Sequence, residues 1–250
     1  MVQAHDNAAL HLDAVQRNYG DGGFTLGPIT LVLQPGVTCV LGPNGAGKST
    51  LFRVLAGIDE ATSGQIIDDG GKSTRVGYLP QQFSAPSRAS CSDYLWYVAW
   101  LQGIPRGERD AAITAALRAV GLSDRAEERF NKLSGGMKRR LGIAQAVIHS
   151  PSLVLLDEPT AGLDLEQRIR CAEAVREVAH DSVVVVATHL LDDVTRMADD
   201  VVVLESGQVS FAGSRDELLK RPVPATHSDS TDLAMLRSLE DILRTTGRAE

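Results

Sequence analysis

The sequence predicts an α/β fold: a mostly parallel sheet with flanking helices, an antiparallel β layer ahead of it, and an inserted α-helical subdomain. Three observations predict it. Short apolar runs alternate with helical segments around residues 37–56 and again over residues 153–204, the pattern of a parallel sheet with covering helices. The first 33 residues carry strand-like alternation broken by a glycine-rich turn. Between these parts, residues 90–149 read as helical, so a helical block of about residues 83–150 interrupts the α/β core.

The elements follow in order. Leu10, Leu12 and Ala14 alternate with polar residues, which predicts one face of a half-buried strand. A second strand is expected over residues 24–33, after the turn at residues 20–23. Pro35-Gly36 turns the chain into an apolar run at residues 37–41, a buried strand candidate. A helix over residues 48–56 ends at Gly57. Residues 63–68 and 75–79 read as short strands. Helices are expected over residues 92–101, 108–120 (with Gly121 as its stop) and 135–148. Strands at 153–156, 183–187 and 201–204 then alternate with helices at 167–179 and 191–197. Residues 222–232 hold two prolines among Ser, Thr and Asp and read as a linker. Leu233, Leu236, Leu239 and Leu243 beyond it recur at helical spacing. The expected organisation is one domain over residues 1–222, then a linker and short helix over residues 223–250.

Composition narrows the function. A hydrophobic content of 43% in 250 residues is enough for a sizeable core. A net charge of −7 with scattered basic residues argues against a nucleic-acid partner. Cys39, Cys91 and Cys171 are far apart and form no CxxC pair, so neither a disulfide framework nor a metal cage is expected. The N-terminus has no basic start followed by an apolar run, and no stretch approaches ~18 uninterrupted apolar residues. A cytoplasmic protein is expected, acting at a membrane only as a peripheral partner.

Three motifs carry chemistry. Gly42, Pro43, Asn44, Gly45, Ala46, Gly47, Lys48 and Ser49 match GxxxxGK[ST] between a buried strand and a helix, with Thr50 following. Glycines let the backbone curl and aim N–H groups at phosphate oxygens, and the helix start adds a positive dipole end. Lys48 is expected on the β- and γ-phosphates and Ser49 on Mg²⁺. Second, the apolar run at 153–156 delivers Asp157 and Glu158 to a strand's carboxyl end, where open α/β sheets bind ligands. Alone the pair reads equally well as a helix N-cap. With the phosphate loop upstream, Asp157 fits a Mg²⁺ partner and Glu158 a base for the attacking water. Third, Ser134, Gly135 and Gly136 open a helix. Ser134 suits the N-cap, and the glycines are expected to leave backbone N–H groups bare for an anion; alone, the segment reads more readily as an ordinary capped helix after a loop.

Taken together, these motifs resemble the ABC ATPase family over nearly all of residues 10–220. The resemblance rests on the phosphate loop, on LSGG at residues 133–136 and on LLDEPTAGLD at residues 155–164. It implies a P-loop NTPase core that binds ATP and Mg²⁺ and hydrolyses ATP. It also implies a head-to-tail pair of such domains, expected as a homodimer, with ATP between one phosphate loop and the other copy's signature. Ser134 and Gly136 would then act in trans. Gln81 looks like the glutamine that senses Mg²⁺ and the attacking water, favoured over Gln82 by the preceding proline. His189 looks like the switch histidine that bonds the γ-phosphate and holds Glu158. Tyr19 looks like the aromatic that stacks on adenine, and Asp164 like an aspartate at the dimer seam. Met137 stands where glutamine is frequent, and Ala161-Gly162 replaces a Ser-Ala pair; neither change removes a phosphate ligand.

The string from residue 133 to 164 looks most like the exporter branch that carries drugs, antibiotics, lipids or polysaccharides. Residues 238–242 resemble the short terminal helix of that branch. The implied partners are membrane permease subunits in separate chains. Tyr94, Trp96, Tyr97 and Trp100 share one predicted helix, with Trp96 and Trp100 four apart on one face. Part of this cluster is expected to line the groove that receives the permease, and part to fill the subdomain core. The other readings are an importer subunit, a soluble ABC ATPase acting on a macromolecular complex, and a regulatory module without turnover.

Overall fold

The computed structural model describes residues 9–20, 22–68, 74–180 and 182–220. The linker and helix expected in the tail lie outside the described residues.

The chain runs β1 (Leu10–Asn18), β2 (Thr25–Leu33), β3 (Gly36–Leu41), α1 (Lys48–Leu55), β4 (Ser63–Asp68), β5 (Val76–Leu79), then α2 (Cys91–Leu101), α3 (Arg109–Ala119) and α4 (Gly135–Val147). It returns through β6 (Leu153–Asp157), α5 (Leu165–Val178), β7 (Val183–Thr188), α6 (Leu191–Met197), β8 (Asp200–Glu205), β9 (Gln208–Ser214) and α7 (Arg215–Leu219). Two sheets result. One is antiparallel and three-stranded, in the order β2-β1-β4. The other is six-stranded, in the order β5-β6-β7-β3-β8-β9, parallel through β8 with β9 returning antiparallel.

The strands of the large sheet are buried on both faces, so they read as continuous apolar runs. Alternate side chains separate the core into two sides. Val154 and Leu156 of β6, with Val184 and Val186 of β7, pack under α4, α5 and α6. Leu153 and Leu155, with Val183 and Val185, face α1 and the antiparallel layer. Helix α1 therefore lies between the two sheets, and Phe52 on it is fully buried. Each such buried side chain contributes ~1.5–3 kcal/mol. Cys39, Cys91 and Cys171 are all buried and free. Burial raises each thiol pKa, to about 11 for Cys91 and about 12 for Cys171.

Helices α2, α3 and α4 fall between β5 and β6. Ser90 caps α2 through a capping box with Asp93. Of the four aromatic residues of α2, Tyr94 alone is buried, hydrogen-bonded to Gln145. Trp96, Tyr97 and Trp100 are exposed, and Arg109 lies over the Trp96 ring.

Four expectations need correction. Ala14 is exposed, not inward, because β1 is irregular in register between Leu12 and Val15, and Ala14 takes a positive φ of 49° there. Helix α5 begins at Leu165, two residues earlier than expected, because Asp164 accepts from the Gln167 N–H as its N-cap. Strand β5 starts at Val76; the Arg75 carbonyl instead accepts from the Leu153 N–H at 3.2 Å. Strand β9 and helix α7 were not predicted. Gln208, Ser210 and Ala212 are weak strand formers, yet β9 completes the edge beside β8.

Candidate active site

Strands β3, β6 and β7 are sheet neighbours, and their carboxyl ends open on one side, where such sheets place ligands. The segments that follow them carry the phosphate loop, the Asp157-Glu158 pair and His189.

The loop after β3 needs its glycines. Gly45 and Gly47 sit at φ 86° and 105°, where a side chain is strained. A Cβ on Gly47 would stand 2.8 Å from Phe24 Cζ. The loop is pinned from outside, because the Gly207 N–H donates to the Ala46 carbonyl at 2.9 Å. Gly47 is the N-cap of α1 and supplies no side-chain bond, and the first turn has no acid. The start of α1 thus presents N–H groups and a dipole end to an anion. The Lys48 ammonium lies on the carbonyls of Gly42 and Pro43, at 2.6 and 3.0 Å. Burial lowers its pKa, and the charges of Glu158 and Asp157 partly offset that. These elements line a cleft of about 430 Å³ together with Tyr19, Phe24, Asn44, Ser49, Thr50, Gln81, Asp157 and Glu158.

Asp157 is buried at the end of β6, and the Ser49 hydroxyl donates to its Oδ2 at 3.4 Å. Burial, and then the neighbouring Glu158, raise its pKa; the Ser49 bond and Lys48 oppose the rise. Glu158 turns out of the strand with φ 49°, a left-handed conformation that costs a residue with a side chain on the order of 1–3 kcal/mol. Its backbone N–H donates to the Ala187 carbonyl of β7 at 2.9 Å. Both carboxylate oxygens are engaged. Gln81 Nε2 donates to Oε2 at 3.1 Å, and His189 Nδ1 lies 3.0 Å from Oε1. Arg139 of α4 in turn donates to the Gln81 carbonyl at 2.6 Å. The turn at Glu158 and its two partners hold the carboxylate in the cleft lining.

Sequence reading missed a buried brace behind this site. Asp193 is fully buried, and its Oδ2 accepts from Thr160 at 2.5 Å and from Thr188 at 2.7 Å. Thr160 follows Glu158 by two residues, and Thr188 precedes His189. Asp193 therefore ties together the two segments whose side chains meet. Phe24 was also missed; an aromatic just past a glycine-rich turn was the available signal.

Tyr19 lies at the cleft rim, 46% exposed. Its hydroxyl donates to Asp59 Oδ2 at 2.6 Å, and the Arg17 guanidinium sits 4.8 Å from its ring centroid. Asp59 also pairs with Arg53, and these two bonds hold its carboxyl well below the usual carboxylate range.

Ser134, Gly135, Gly136 and Asp164 do not line this cleft; they form a second locus where α4 and α5 begin. Ser134 caps α4, its Oγ accepting from the Met137 N–H at 3.2 Å. The expectation of bare N–H groups fails at Gly136. Its N–H donates at 2.9 Å to Gln167 Oε1, because α5 brings that side chain over the α4 start.

A triphosphate with a hard cation fits the cleft. The N–H-rich loop and Lys48 match phosphate, and the Ser49 hydroxyl, Asp157 carboxylate and Gln81 amide offer the oxygen donors that Mg²⁺ prefers. No group of three His, Cys, Asp or Glu stands ready as a cage among the described residues.

Comparison with known proteins now decides the family. The profile described as ABC transporter matches residues 26–161, more than half of the chain. The chain belongs to the ABC transporter family. It contains that family's ATP-binding, ATP-hydrolysing domain. Among curated relatives of this ABC domain, the uncharacterized ATP-binding protein YxlF of Bacillus subtilis (strain 168) is 38% identical over 182 residues, 72% of this chain and 62% of that protein. The methionine import protein MetN of Corynebacterium diphtheriae is 37% identical over 209 residues, 78% of this chain and 62% of that one. The linearmycin resistance protein LnrL of Bacillus subtilis is 31% identical over 222 residues, 85% of this chain and 71% of that one. The chain thus spans about three fifths of YxlF and MetN. Among solved structures, a metal-chelate type ABC transporter in an inward-facing conformation aligns with TM-score 0.74 at 28% identity, over 85% of each chain. A bacterial Atm1-family exporter with ATP bound shares the fold, with TM-score 0.71 at 24% identity over 92% of this chain and 42% of that one. No helix among the described residues is long and apolar enough to cross a membrane.

Proposed function

We propose that this chain is the ATP-hydrolysing subunit of a membrane exporter, working as a head-to-tail homodimer under separate permease chains. The observation that carries the ATPase reading is Glu158 fixed in the cleft lining between Gln81 and His189, beside the phosphate loop. A carboxylate held there, with a histidine on one oxygen, is placed to orient and deprotonate an attacking water. Lys48 leaves the carbonyls of Gly42 and Pro43 for the β- and γ-phosphates, with the loop from Gly42 to Gly47 and Thr50 supplying the cradle. Ser49, Asp157 and Gln81 hold Mg²⁺, which supplies positive charge against the phosphates when bound. Tyr19 stacks on adenine. Ser134, Gly135 and Gly136, with Asp164 nearby, meet the γ-phosphate bound in the other copy. Phosphate loss removes the bridge between copies, so the pair opens and a permease attached to each copy follows.

The exposed Trp96, Tyr97 and Trp100 support permease docking on the helical block; on this reading the chain works at the cytoplasmic face of the membrane. Similarity to LnrL supports export. The methionine import relatives favour a second reading, import, with the same ATPase cycle.

Glu158→Gln is expected to bind ATP yet lose turnover by a factor on the order of 10²–10⁴. It should run as a dimer with ATP and Mg²⁺ on a sizing column. A variant that stays monomeric with ATP, even beside its permease, would falsify the sandwich. Co-purification of a permease, followed by transport in vesicles of known sidedness, assigns direction. Uptake toward the ATPase side would replace export by import.

A further inference from the structure

We propose that Gln167 is an intramolecular latch that occupies the signature and sets the ATP concentration at which two copies close. The inference rests on the sandwich reading above. Gln167 sits in the first turn of α5, and its side-chain amide is used at both ends. Oε1 accepts from the Gly136 N–H at 2.9 Å, and Nε2 donates to Asp164 Oδ2 at 2.8 Å. The fit is close, since a Cβ on Gly136 would meet Gln167 Oε1, Cβ and Cγ at 2.8 to 2.9 Å. The Gly136 N–H is one of the donors assigned to the γ-phosphate of the other copy. In the single chain it is already bonded to an uncharged amide oxygen.

Closure therefore exchanges one acceptor for another. A phosphate oxygen is charged and makes the stronger bond to an N–H at a helix start, so it displaces the amide. The displaced Gln167 keeps its tie to Asp164, the residue assigned to the seam, so release of the signature is felt at the seam as well. The latch keeps the signature engaged within its own chain until a charged acceptor arrives. Its strength is that of one neutral hydrogen bond, which shifts an equilibrium by a modest factor.

Two substitutions of opposite sign separate a latch from a merely structural contact. Gln167→Met keeps length and apolar packing but offers no acceptor. Gln167→Glu keeps an acceptor for the Gly136 N–H and loses the donation to Asp164, and its negative charge repels an incoming phosphate. Both keep the backbone bond from the Gln167 N–H to Asp164 Oδ1, 2.9 Å, which caps α5. In the full chain carrying Glu158→Gln, ATP is titrated with Mg²⁺ present and dimer is read by sedimentation. The Met variant should lower the half-maximal ATP concentration roughly two- to tenfold. The Glu variant should raise it by about tenfold or more. Unchanged or weakened closure in the Met variant, from a parent that does dimerise, overturns the latch alone. A parent that never dimerises with ATP sinks the sandwich, and the latch with it.

Discussion

At the scale of single residues, the site depends on charges that burial has made costly. Asp157 is a carboxyl whose pKa is raised by burial and by Glu158. A raised folded-state value means that the folded chain holds this proton at pH values where the unfolded chain has released it. Ionising Asp157 therefore opposes folding as pH rises above the unfolded-state value, and the penalty grows until pH passes the raised folded-state value. Asp157→Asn should raise the melting temperature of the ligand-free protein at pH 7, by roughly 2–4 °C per 1 kcal/mol relieved. The same change should abolish the extra stabilisation that Mg²⁺ adds to ATP; retention of that increment would remove Asp157 from the metal site. Asp193 behaves in the opposite sense. Asp193→Ala removes the acceptor of the Thr160 and Thr188 hydroxyls, of which Thr188 keeps a bond from the Leu190 N–H, and should cost about 1–3 kcal/mol in urea unfolding. It should also lower kcat more than it alters KM for ATP, since it frees the segments that bring His189 to Glu158. An unchanged kcat in the folded fraction would reduce Asp193 to a core residue.

At the scale of elements, the contact of α4 with β5 carries the site. A Cβ on Gly77 would overlap the Ala146 carbonyl, and one on Gly142 would stand 2.6 Å from Leu79. Gly77→Ala should therefore destabilise by ~1–3 kcal/mol in a denaturant melt. Because Gln81 follows β5 and Arg139 of α4 holds its carbonyl, the same change should weaken turnover. Intact stability would show that the strand shifts without cost. The elements differ in how legible they were. The phosphate loop, Asp157-Glu158 and Ser134 were readable because each is a contiguous motif whose residue types dictate its own backbone. Asp193 and Gln167 were not, because each joins a near residue to a distant one: Thr160 is 33 residues from Asp193, and Gly136 is 31 from Gln167. Strand β9 was hidden for another reason: its small and polar residues carry no strand pattern, and its pairing with β8 forms it. The bulge that turns Ala14 outward has the same character, since a register irregularity leaves no mark on a period-two reading.

At the scale of the whole molecule, the phosphate loop and the Ser134 locus lie at different places on one chain, so under the proposed sandwich a single copy is incomplete. The helical block that carries the signature also exposes Trp96, Tyr97 and Trp100. Trp100→Ala should leave the melting temperature and free ATPase rate near wild type while lowering the permease-stimulated rate; a fall in free ATPase would make Trp100 part of the subdomain's own packing. The buried thiols have a practical corollary for testing this arrangement. Each of Cys39, Cys91 and Cys171 is shut from solvent and held in its poorly nucleophilic protonated form. The wild-type chain is therefore close to silent toward maleimides and mild oxidants while folded. A single cysteine placed on the surface near Asp164 would be the one reactive handle, and no native cysteine need be removed before labelling.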